Sequence, residues 1–304
     1  MKKLAAVFFC LLILSSCVSA EPDFSGSVIS CTDERGETVT VPASPKKVAV
    51  LFSSFADVWI CAGGEIAITV GETVERGITQ NNVILVDGGA GKSIDNEALI
   101  AAHPDLVICS FDVPAQLDTA RLCQSVGIPA LALKIESFED YLDVLKLFTL
   151  ITENPQGYEI YGERVKENAD EYRRLLFDTS VLFIRAGSSK SSTKAKNGEQ
   201  HFAAAMLKEL GTHNVAENSP VLLDGISFEE ILRENPERIF ISLMGDEDAA
   251  FSNVNSLLKT PEWSALSAVQ NNKVYILPKS LFQYKPNARW ADAYRYLAEC
   301  LSEE

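Results

Sequence analysis

The order of apolar and polar positions in this chain contains a repeat. Residues 94–110 recur without a gap at residues 226–242, so that Glu97 aligns with Glu229. In each copy, apolar residues three and four positions apart predict a short helix, a Pro-acid pair predicts a turn, and a continuous apolar run predicts a strand buried on both faces of a sheet. Two lobes of similar plan explain the repeat better than the chance recurrence of a common pattern. Because two lobes leave a cleft between them, the repeat also predicts where a ligand would bind.

The rest of the chain alternates short apolar runs with amphipathic segments. Residues 28–41 predict a β-hairpin that turns at residues 33–36. The predicted strands are 47–51, 83–86, 106–110, 130–133, 181–185 and 273–277, and the predicted helices are 56–62, 96–102, 114–126, 138–152, 200–210 and a last helix from Arg289. This alternation indicates parallel or mixed sheets with helices on their faces.

One long helix is predicted midway between the two copies of the repeat. Asn154 and Pro155 are typical of a helix N-cap and first position, and apolar residues then recur at spacings of three and four as far as Leu176. A helix over residues 155–177 would be about 35 Å long and would connect the lobes stiffly. The predicted fold is therefore α/β, with Rossmann-like lobes over residues 28–153 and 179–304 and a connecting helix within residues 154–178.

The first residues are typical of an export signal. Lys2 and Lys3 precede an apolar run too short for a permanent membrane anchor, so residues 1–16 are predicted to be a signal peptide. Cys17 follows Leu-Ser-Ser, as in a lipobox, and residues 17–27 would then be a lipid-anchored spacer; cleavage after Ala20 is the alternative. We expect an exported protein on the outer face of the cytoplasmic membrane, attached only through the Cys17 lipid, or free in the periplasm.

The net charge limits the partners that the chain can be expected to bind, and its cysteine content bears on metal sites and disulfides. The formal charge is −15, because 42 Asp and Glu outnumber 27 Lys and Arg, and this argues against nucleic acid as a partner. With Cys17 acylated, an odd number of cysteines remains, and no CxxC or Cys/His cluster predicts a metal site. These cysteines, whose pairing the sequence leaves open, are Cys31, Cys61, Cys109, Cys123 and Cys300. Cys61 and Cys109 lie in apolar contexts and are predicted to be core residues.

Several short segments together resemble one known family. They are DERGETVTVP at 33–42, PKKVAVL at 45–51, NE at 96–97, PDLVI at 104–108, the predicted connecting helix, LKELGTHNVA at 207–216 and YKPN at 284–287. Their order and spacing resemble the class III substrate-binding proteins of ABC importers, the metal-chelate binders for vitamin B12, haem and ferric siderophores. The chain departs from the family pattern at Pro286-Asn287, where Pro-Gly is frequent, and in the Ser/Lys loop that follows Arg185.

The resemblance implies a receptor with two lobes, a shallow cleft and little closure on binding. We expect a monomer without a cofactor of its own that captures an iron or cobalt chelate, such as a ferric siderophore, haem or corrinoid, and delivers it to a permease dimer. An exported enzyme using the same cleft is the alternative, although the serines lack a nucleophile-elbow motif. Nucleotide binding by the Gly-rich loop 87–93 is disfavoured, because Val86 stands where a P-loop requires Gly.

The ligand is predicted to lie beyond the carboxyl ends of the strands, where α/β sheets usually bind ligands. The residues expected to contact it are Ser54, Phe55 and Phe111 from the first lobe and Arg185, His201, Met244, Tyr284 and Arg289 from the second. Haem would need an axial ligand, for which Tyr284 and His201 are candidates. A siderophore brings its own iron ligands and would need only cationic and aromatic contacts.

The aligned glutamates carry a separate expectation. Glu97 and Glu229 both lie at the start of a predicted helix, where a carboxylate is favourable because the helix N-terminus is partly positive. The resemblance implies a second role, since glutamates at these positions in vitamin B12 and siderophore importers form salt bridges with arginines of the two permease subunits. We therefore expect both carboxylates to be exposed, one on each lobe beside the mouth of the cleft.

Overall fold

The computed structural model describes residues 23–25, 28–79, 82–88, 93–225 and 227–303. The predicted signal peptide, the lipidation site Cys17 and most of the predicted spacer lie outside these residues. Within the described part of the chain, no helix is both long and apolar enough to cross a membrane.

The first lobe begins with the predicted hairpin and continues as an all-parallel sheet. Strands β1 to β3 form an antiparallel sheet of three, with the turn where the sequence predicts it. The five later strands follow the order β6-β5-β4-β7-β8, and helices connect them. The elements are β1 Asp23–Ser25, β2 Val28–Thr32, β3 Thr38–Pro42, β4 Val48–Val50, α1 Ser53–Cys61, β5 Ile68–Thr69, α2 Gly71–Glu75, β6 Ile84–Leu85, α3 Asn96–Ala101, β7 Leu106–Ser110, α4 Pro114–Ser125, β8 Ala130–Leu133 and α5 Phe138–Ile151.

The strand order of this sheet reverses between β4 and β7. A ligand site in an open α/β sheet usually lies at such a reversal, beyond the carboxyl ends of the strands. Gln116 ties the two strand ends together, because its amide donates to the Leu51 carbonyl at 2.7 Å and accepts the Ser110 N–H at 2.7 Å. The loops after β4 and β7 are therefore held at fixed positions beside the cleft.

The connecting segment is helical but is shorter and less regular than predicted. It consists of α6 Pro155–Tyr158, a π-helical turn Glu159–Glu163 and α7 Arg164–Arg173. Within the π turn, the Tyr141 hydroxyl donates to the Tyr161 carbonyl at 2.7 Å. The prediction that the helix continues to Phe177 is wrong, because the Phe177 N–H instead donates to the Leu210 carbonyl of the second lobe at 2.8 Å.

The second lobe follows a similar plan with fewer parallel strands. The order is β10-β9-β12-β13, and β11 pairs in parallel with the start of β9 on the same side as β10. The elements are β9 Ser180–Ala186, β10 Lys194–Ala195, α8 Phe202–Glu209, β11 His213–Asn214, α9 Pro220–Asp224, α10 Phe228–Glu234, β12 Arg238–Leu243, α11 Glu247–Leu258, α12 Pro261–Ser264, α13 Ser267–Gln270, β13 Val274–Leu277, α14 Lys279–Phe282 and α15 Trp290–Ser302.

The two copies of the repeat form equivalent structures, α3–β7 and α10–β12. After each helix one residue takes a left-handed conformation, with φ +46° at His103 and +42° at Asn235. The prolines that follow, Pro104 and Pro236, are both buried. The repeat seen in the sequence therefore corresponds to one helix–turn–strand unit in each lobe.

The acid after each proline aligns the repeat strand with its neighbour. The Asp105 N–H donates to the Lys47 carbonyl at 2.9 Å, just before β4, and the Glu237 N–H donates to the Ser180 carbonyl at 3.1 Å, at the start of β9. β7 therefore pairs with β4 as β12 pairs with β9. The predicted α/β fold of two similar lobes is confirmed.

The lobes share one hydrophobic core that continues through the connecting segment. The Phe138 ring of α5 lies 5.6 Å from the Trp290 ring and 6.4 Å from the Tyr294 ring of α15. On the same side, the Arg173 guanidinium of α7 binds Glu139 of the first lobe and Glu209 of the second, each at 3.0 Å. These contacts hold the lobes together on the side formed by α5, α7 and α15.

All five cysteines in the described residues are free thiols. Cys109 is fully buried in the first lobe, as predicted, whereas Cys61 is only half-buried against the core. Burial raises the pKa of Cys61 to about 12, so its thiol stays protonated at neutral pH.

Candidate ligand-binding cleft

Asn287 of the second lobe lies just beneath the floor of the cleft, where it contacts the first lobe. Its Nδ2 donates to the Ser54 carbonyl at 3.0 Å and to Asp57 Oδ2 at 2.8 Å, both in the first lobe. Asn287 is fully buried and has φ +50°, a conformation that favours Gly and that Asn tolerates better than most residues. The departure from the frequent Pro-Gly therefore keeps the backbone conformation and adds hydrogen bonds between the lobes.

A cavity of about 460 Å³ lies beside this floor and is lined by both lobes. Its lining residues are Asp57, Glu75, Arg76 and Ile78 from the first lobe and Lys279, Ser280, Tyr284, Lys285, Pro286 and Arg289 from the second. The predicted residues Tyr284 and Arg289 are thus brought together here. The Arg76 guanidinium lies 4.0 Å from the centre of the Tyr284 ring, and Lys279 Nζ lies 5.7 Å from it. Both are cation–π contacts, and the one with Arg76 joins the two lobes.

Arg76 was not predicted as a cavity residue, because it follows a five-residue helix that the spacing of apolar residues does not predict. Its Nη1 donates to Ser53 Oγ at 2.8 Å. Burial lowers the pKa of Arg76, and the carboxylates of Asp57 and Glu72 oppose that shift. The guanidinium still remains charged at neutral pH, since an arginine pKa starts above 12.

Lys285 forms a second charged contact between the lobes. Its Nζ lies 3.3 Å from Glu136 Oε2 of the first lobe and 4.9 Å from the centre of the Phe202 ring of the second. Burial lowers the pKa of Lys285, whereas Glu136 raises it. Because the side chain is only 20% exposed, this ammonium group lies largely inside the junction of the lobes.

His201 caps the helix that follows the Ser/Lys loop, as its predicted position suggests. Its Nδ1 accepts the Ala203 N–H at 3.2 Å, and its ring lies 4.7 Å from the Phe183 ring and 4.8 Å from the Phe202 ring. Burial, followed by the nearby cations led by Arg185, lowers the pKa of His201 to about 3. The imidazole is therefore neutral at pH 7, and its single proton is on Nε2 because Nδ1 accepts a hydrogen bond.

The other predicted contact residues lie in different surroundings. Ser54 and Phe55 are 4% and 2% exposed, because α1 begins at Ser53 instead of near residue 56 as predicted. Neither side chain therefore offers surface to a ligand in this structure. Phe111 and Met244 are half-buried and are the first residues after β7 and β12, outside the lining of the cavity.

Arg185 and Arg289 are both exposed, but they differ in their partners. Arg289 binds Asp292 of its own helix at 3.1 Å. Arg185 lies at the end of β9, opposite Lys194 of β10. Among the described residues, no group of three or more His, Cys, Asp and Glu side chains could hold a metal ion.

Glu97 and Glu229 are both exposed in the first turns of α3 and α10, as predicted. Asp95 accepts the Ala98 N–H at 2.9 Å, so Asp95 supplies the cap of α3. Within the described part of the chain neither Glu97 nor Glu229 forms an ion pair, whereas the neighbouring Glu230 binds Arg233.

Comparisons with known proteins agree with this architecture. A family model described as "Periplasmic binding protein" matches residues 48–281. The molybdate-binding protein MolA of Haemophilus influenzae is 23% identical over 208 residues, which span 62% of this chain and 57% of that protein. YhfQ of Bacillus subtilis, which is named as an ABC transporter substrate-binding lipoprotein, is 21% identical over 315 residues that cover 96% of both chains.

A solved structure shares the fold over nearly the whole chain. The petrobactin-binding protein YclQ of Bacillus subtilis superposes with a TM-score of 0.75 at 17% identity, and the alignment covers 91% of this chain and 99% of that one. At this level of identity the similarity concerns the fold.

Proposed function

The chain belongs to the periplasmic binding protein family, and on that premise we propose that it is an extracytoplasmic receptor that delivers a metal chelate to an ABC importer. The observation that carries the proposal is the set of cations at the junction of the lobes. Arg76, Lys279 and Arg289 line one cavity with the aromatic ring of Tyr284, and Lys285 extends the set toward His201. Cationic and aromatic groups suit an anionic, partly apolar chelate.

The ligand class that fits best is a ferric siderophore, with haem and corrinoid as the other members of the proposed group. Haem would need an axial ligand. His201 is poorly arranged for that role, because its Nδ1 accepts a backbone hydrogen bond and its Nε2 carries the proton. Tyr284 is the better candidate among the cavity residues. A siderophore would need neither, since it occupies the metal's coordination positions itself.

Binding can be tested by absorbance and fluorescence titration of the purified protein with haem, cobalamin and ferric chelates. We expect at least one chelate to bind with its spectrum changed, and Arg76→Ala with Tyr284→Phe to weaken that binding. Molybdate belongs in the same series, because one relative is named for binding it and an oxyanion would also be attracted to the cations. Turnover of a substrate without binding of any chelate would support the exported-enzyme alternative instead.

The permease side of the proposal rests on Glu97 and Glu229. Two exposed carboxylates, one on each lobe and neither with an ion-pair partner among the described residues, suit two similar permease subunits. We propose that they bind cationic residues of those subunits and set the orientation of docking. A monomer anchored through the Cys17 lipid completes the proposal, and mass spectrometry of the mature N-terminus would test the anchor.

A further inference from the structure

Three cations lie on one face of the second-lobe sheet, beside His201. In the antiparallel pair β9–β10, Arg185 is directly opposite Lys194. The Lys196 N–H donates to the Phe183 carbonyl at 3.0 Å, which continues the same register. Because directly opposed residues and residues two apart share a face, the side chains of Arg185, Lys194, Lys196 and Phe183 are all on that face. The His201 ring, 4.7 Å from Phe183, is on this face too.

This arrangement of cations is unfavourable by itself. Like charges directly opposite each other in a ladder repel. No carboxylate within the described ranges is in salt-bridge distance of Arg185, Lys194 or Lys196, although the chain as a whole carries −15. Partial burial, followed by repulsion from Lys194 and Arg185, lowers the pKa of Lys196. Such a group of cations is explained if a bound anion supplies the missing negative charge.

His201 adds a hydrogen-bond donor to this group. Its Nδ1 is occupied by the Ala203 N–H, so the only polar atom left for a ligand is Nε2, which carries the proton in the neutral ring. Stacking on Phe202 and a tilted contact with Phe183 fix the plane of the ring. A donor of fixed direction suits an oxygen acceptor, whereas a metal ion would require a free nitrogen lone pair.

We propose that Arg185, Lys194 and Lys196 form, with the Nε2–H of His201, a half-site for the carboxylates of an anionic ferric chelate, and that His201 binds ligand oxygen instead of metal. This inference rests on the proposed receptor function and narrows its ligand. The half-site belongs to the second lobe, and Lys285 connects it to the first lobe through Glu136.

The test compares two ferric chelates of opposite charge by tryptophan fluorescence titration. Ferric citrate has free carboxylates and is anionic, whereas ferrioxamine B is a trihydroxamate with a net positive charge. We expect wild-type protein to prefer ferric citrate by about tenfold or more, and the triple variant Arg185→Ala, Lys194→Ala, Lys196→Ala to bind it about 100-fold more weakly. Lys190→Ala is the matched control, because Lys190 lies in the same loop, in a short turn outside the β9–β10 pair.

Several results would overturn the inference. One is binding of ferrioxamine B by wild-type protein that is as tight as binding of ferric citrate, or tighter. Another is an equal loss of affinity for ferric citrate in Lys190→Ala and Lys194→Ala, which would indicate only a general effect of charge. Molybdate bound more tightly than ferric citrate would indicate a site built for a small oxyanion. Binding of haem, cobalamin or ferrioxamine B without ferric citrate would remove this inference and leave the receptor function intact, whereas binding of no chelate would remove both.

The role of His201 as a hydrogen-bond donor can be tested separately. His201→Asn retains a side chain suited to capping a helix N-terminus but removes the imidazole. We expect this variant to bind ferric citrate at least about tenfold more weakly, as for loss of one hydrogen bond to a charged group. We also expect the spectrum of added haem to be the same as with wild-type protein. A nitrogen-ligated haem spectrum that disappears in His201→Asn would contradict the donor role.

Discussion

The two copies of the repeat have the same backbone but are anchored differently. The first helix, α3, is capped by Asp95, whereas α10 has no side-chain cap at Ser227. The second copy is instead held at its other end, where Asn235 Oδ1 accepts the Ser267 N–H at 3.0 Å. Each contact that differs between the two copies therefore stabilises only the lobe in which it occurs.

All but one of the features that the copies share take part in a turn, a buried position or a hydrogen bond of the unit itself. The positive φ, the buried proline and the acid that aligns two strands recur because the same unit is built twice. The exposed glutamates recur without a partner in the described residues. The comparison therefore separates positions that make the unit fold from a position available for contact with another molecule.

The largest effect is expected when both glutamates are removed. Glu97→Ala with Glu229→Ala should reduce transport by about tenfold or more while the chelate dissociation constant stays within about twofold, because docking and capture use different surfaces. Uptake in cells and titration of purified protein measure the two quantities. Glu230→Ala is the control, since Glu230 is adjacent but already bound to Arg233. Normal uptake by the double variant would leave only the helix-dipole explanation.

His201 of the second lobe should make the folded protein sensitive to acid. This histidine has a pKa of about 3 when folded, below the usual 6.5, so the unfolded state binds a proton that the folded state does not. This contribution to stability is present above pH 6.5 and is lost as pH falls toward 3, at up to about 1.4 kcal/mol per pH unit. Urea unfolding at pH 7 and pH 4.5 should show wild-type protein losing about 2 kcal/mol more than His201→Asn. Equal losses in the two proteins would contradict a neutral, half-buried imidazole.

Asp105 and Glu237 align in the repeat, so the stability that each carboxylate contributes can be compared between the two lobes. The Asp105 carboxylate accepts the N–H groups of Lys46 and Lys47 at 2.9 and 2.8 Å, whereas among the residues that the structure describes the Glu237 carboxylate accepts only the Thr179 hydroxyl. Asp105→Ala should therefore cost about 2 kcal/mol of unfolding free energy and Glu237→Ala about 1 kcal/mol. Urea denaturation measures both, with the exposed Asp118→Ala as a control expected to change little. A larger loss for Glu237→Ala would reverse this ranking.

The smallest expected effect concerns the left-handed residues. His103→Gly should stabilise the protein by about 0.5 kcal/mol, because Gly adopts a positive φ without strain. Asn235→Gly should instead destabilise it by about 1 kcal/mol, since the hydrogen bond to Ser267 is lost and Asn already tolerates this conformation. Shifts in melting temperature of opposite sign would distinguish the two copies, and shifts of the same sign would contradict their different anchoring.

The family and the fold could be predicted from the sequence because they depend on patterns within short segments. The bounds of β7 and β8 match the predicted strands, since continuous apolar runs bounded by turn residues specify buried strands well. The family resemblance is likewise confirmed by the match over residues 48–281. Prediction failed where distant segments decide the structure. Leu176 continues the apolar spacing of the connecting helix yet is 78% exposed, because the chain turns to pair with the second lobe.

The site was predicted only in part for the same reason. Tyr284 and Arg289 follow a strand and could be found from that position, as could His201 beside its loop. Arg76 follows a five-residue helix whose sequence has no distinctive apolar pattern, so nothing local indicated its contact with Tyr284. The burial of Phe55 depends on α1 starting at Ser53, and that boundary is set by packing within the lobe.

Arg173 has a consequence for how cargo must leave this protein. Because its guanidinium holds carboxylates of both lobes at 3.0 Å on the side of the shared aromatic core, we expect the lobes to move little relative to each other when a ligand binds. Spontaneous unloading would then be set only by the dissociation rate of the complex in solution. We expect the mechanical work of parting the lobes to be supplied by the nucleotide-driven transporter, so that release at a working transporter would be faster than this spontaneous rate.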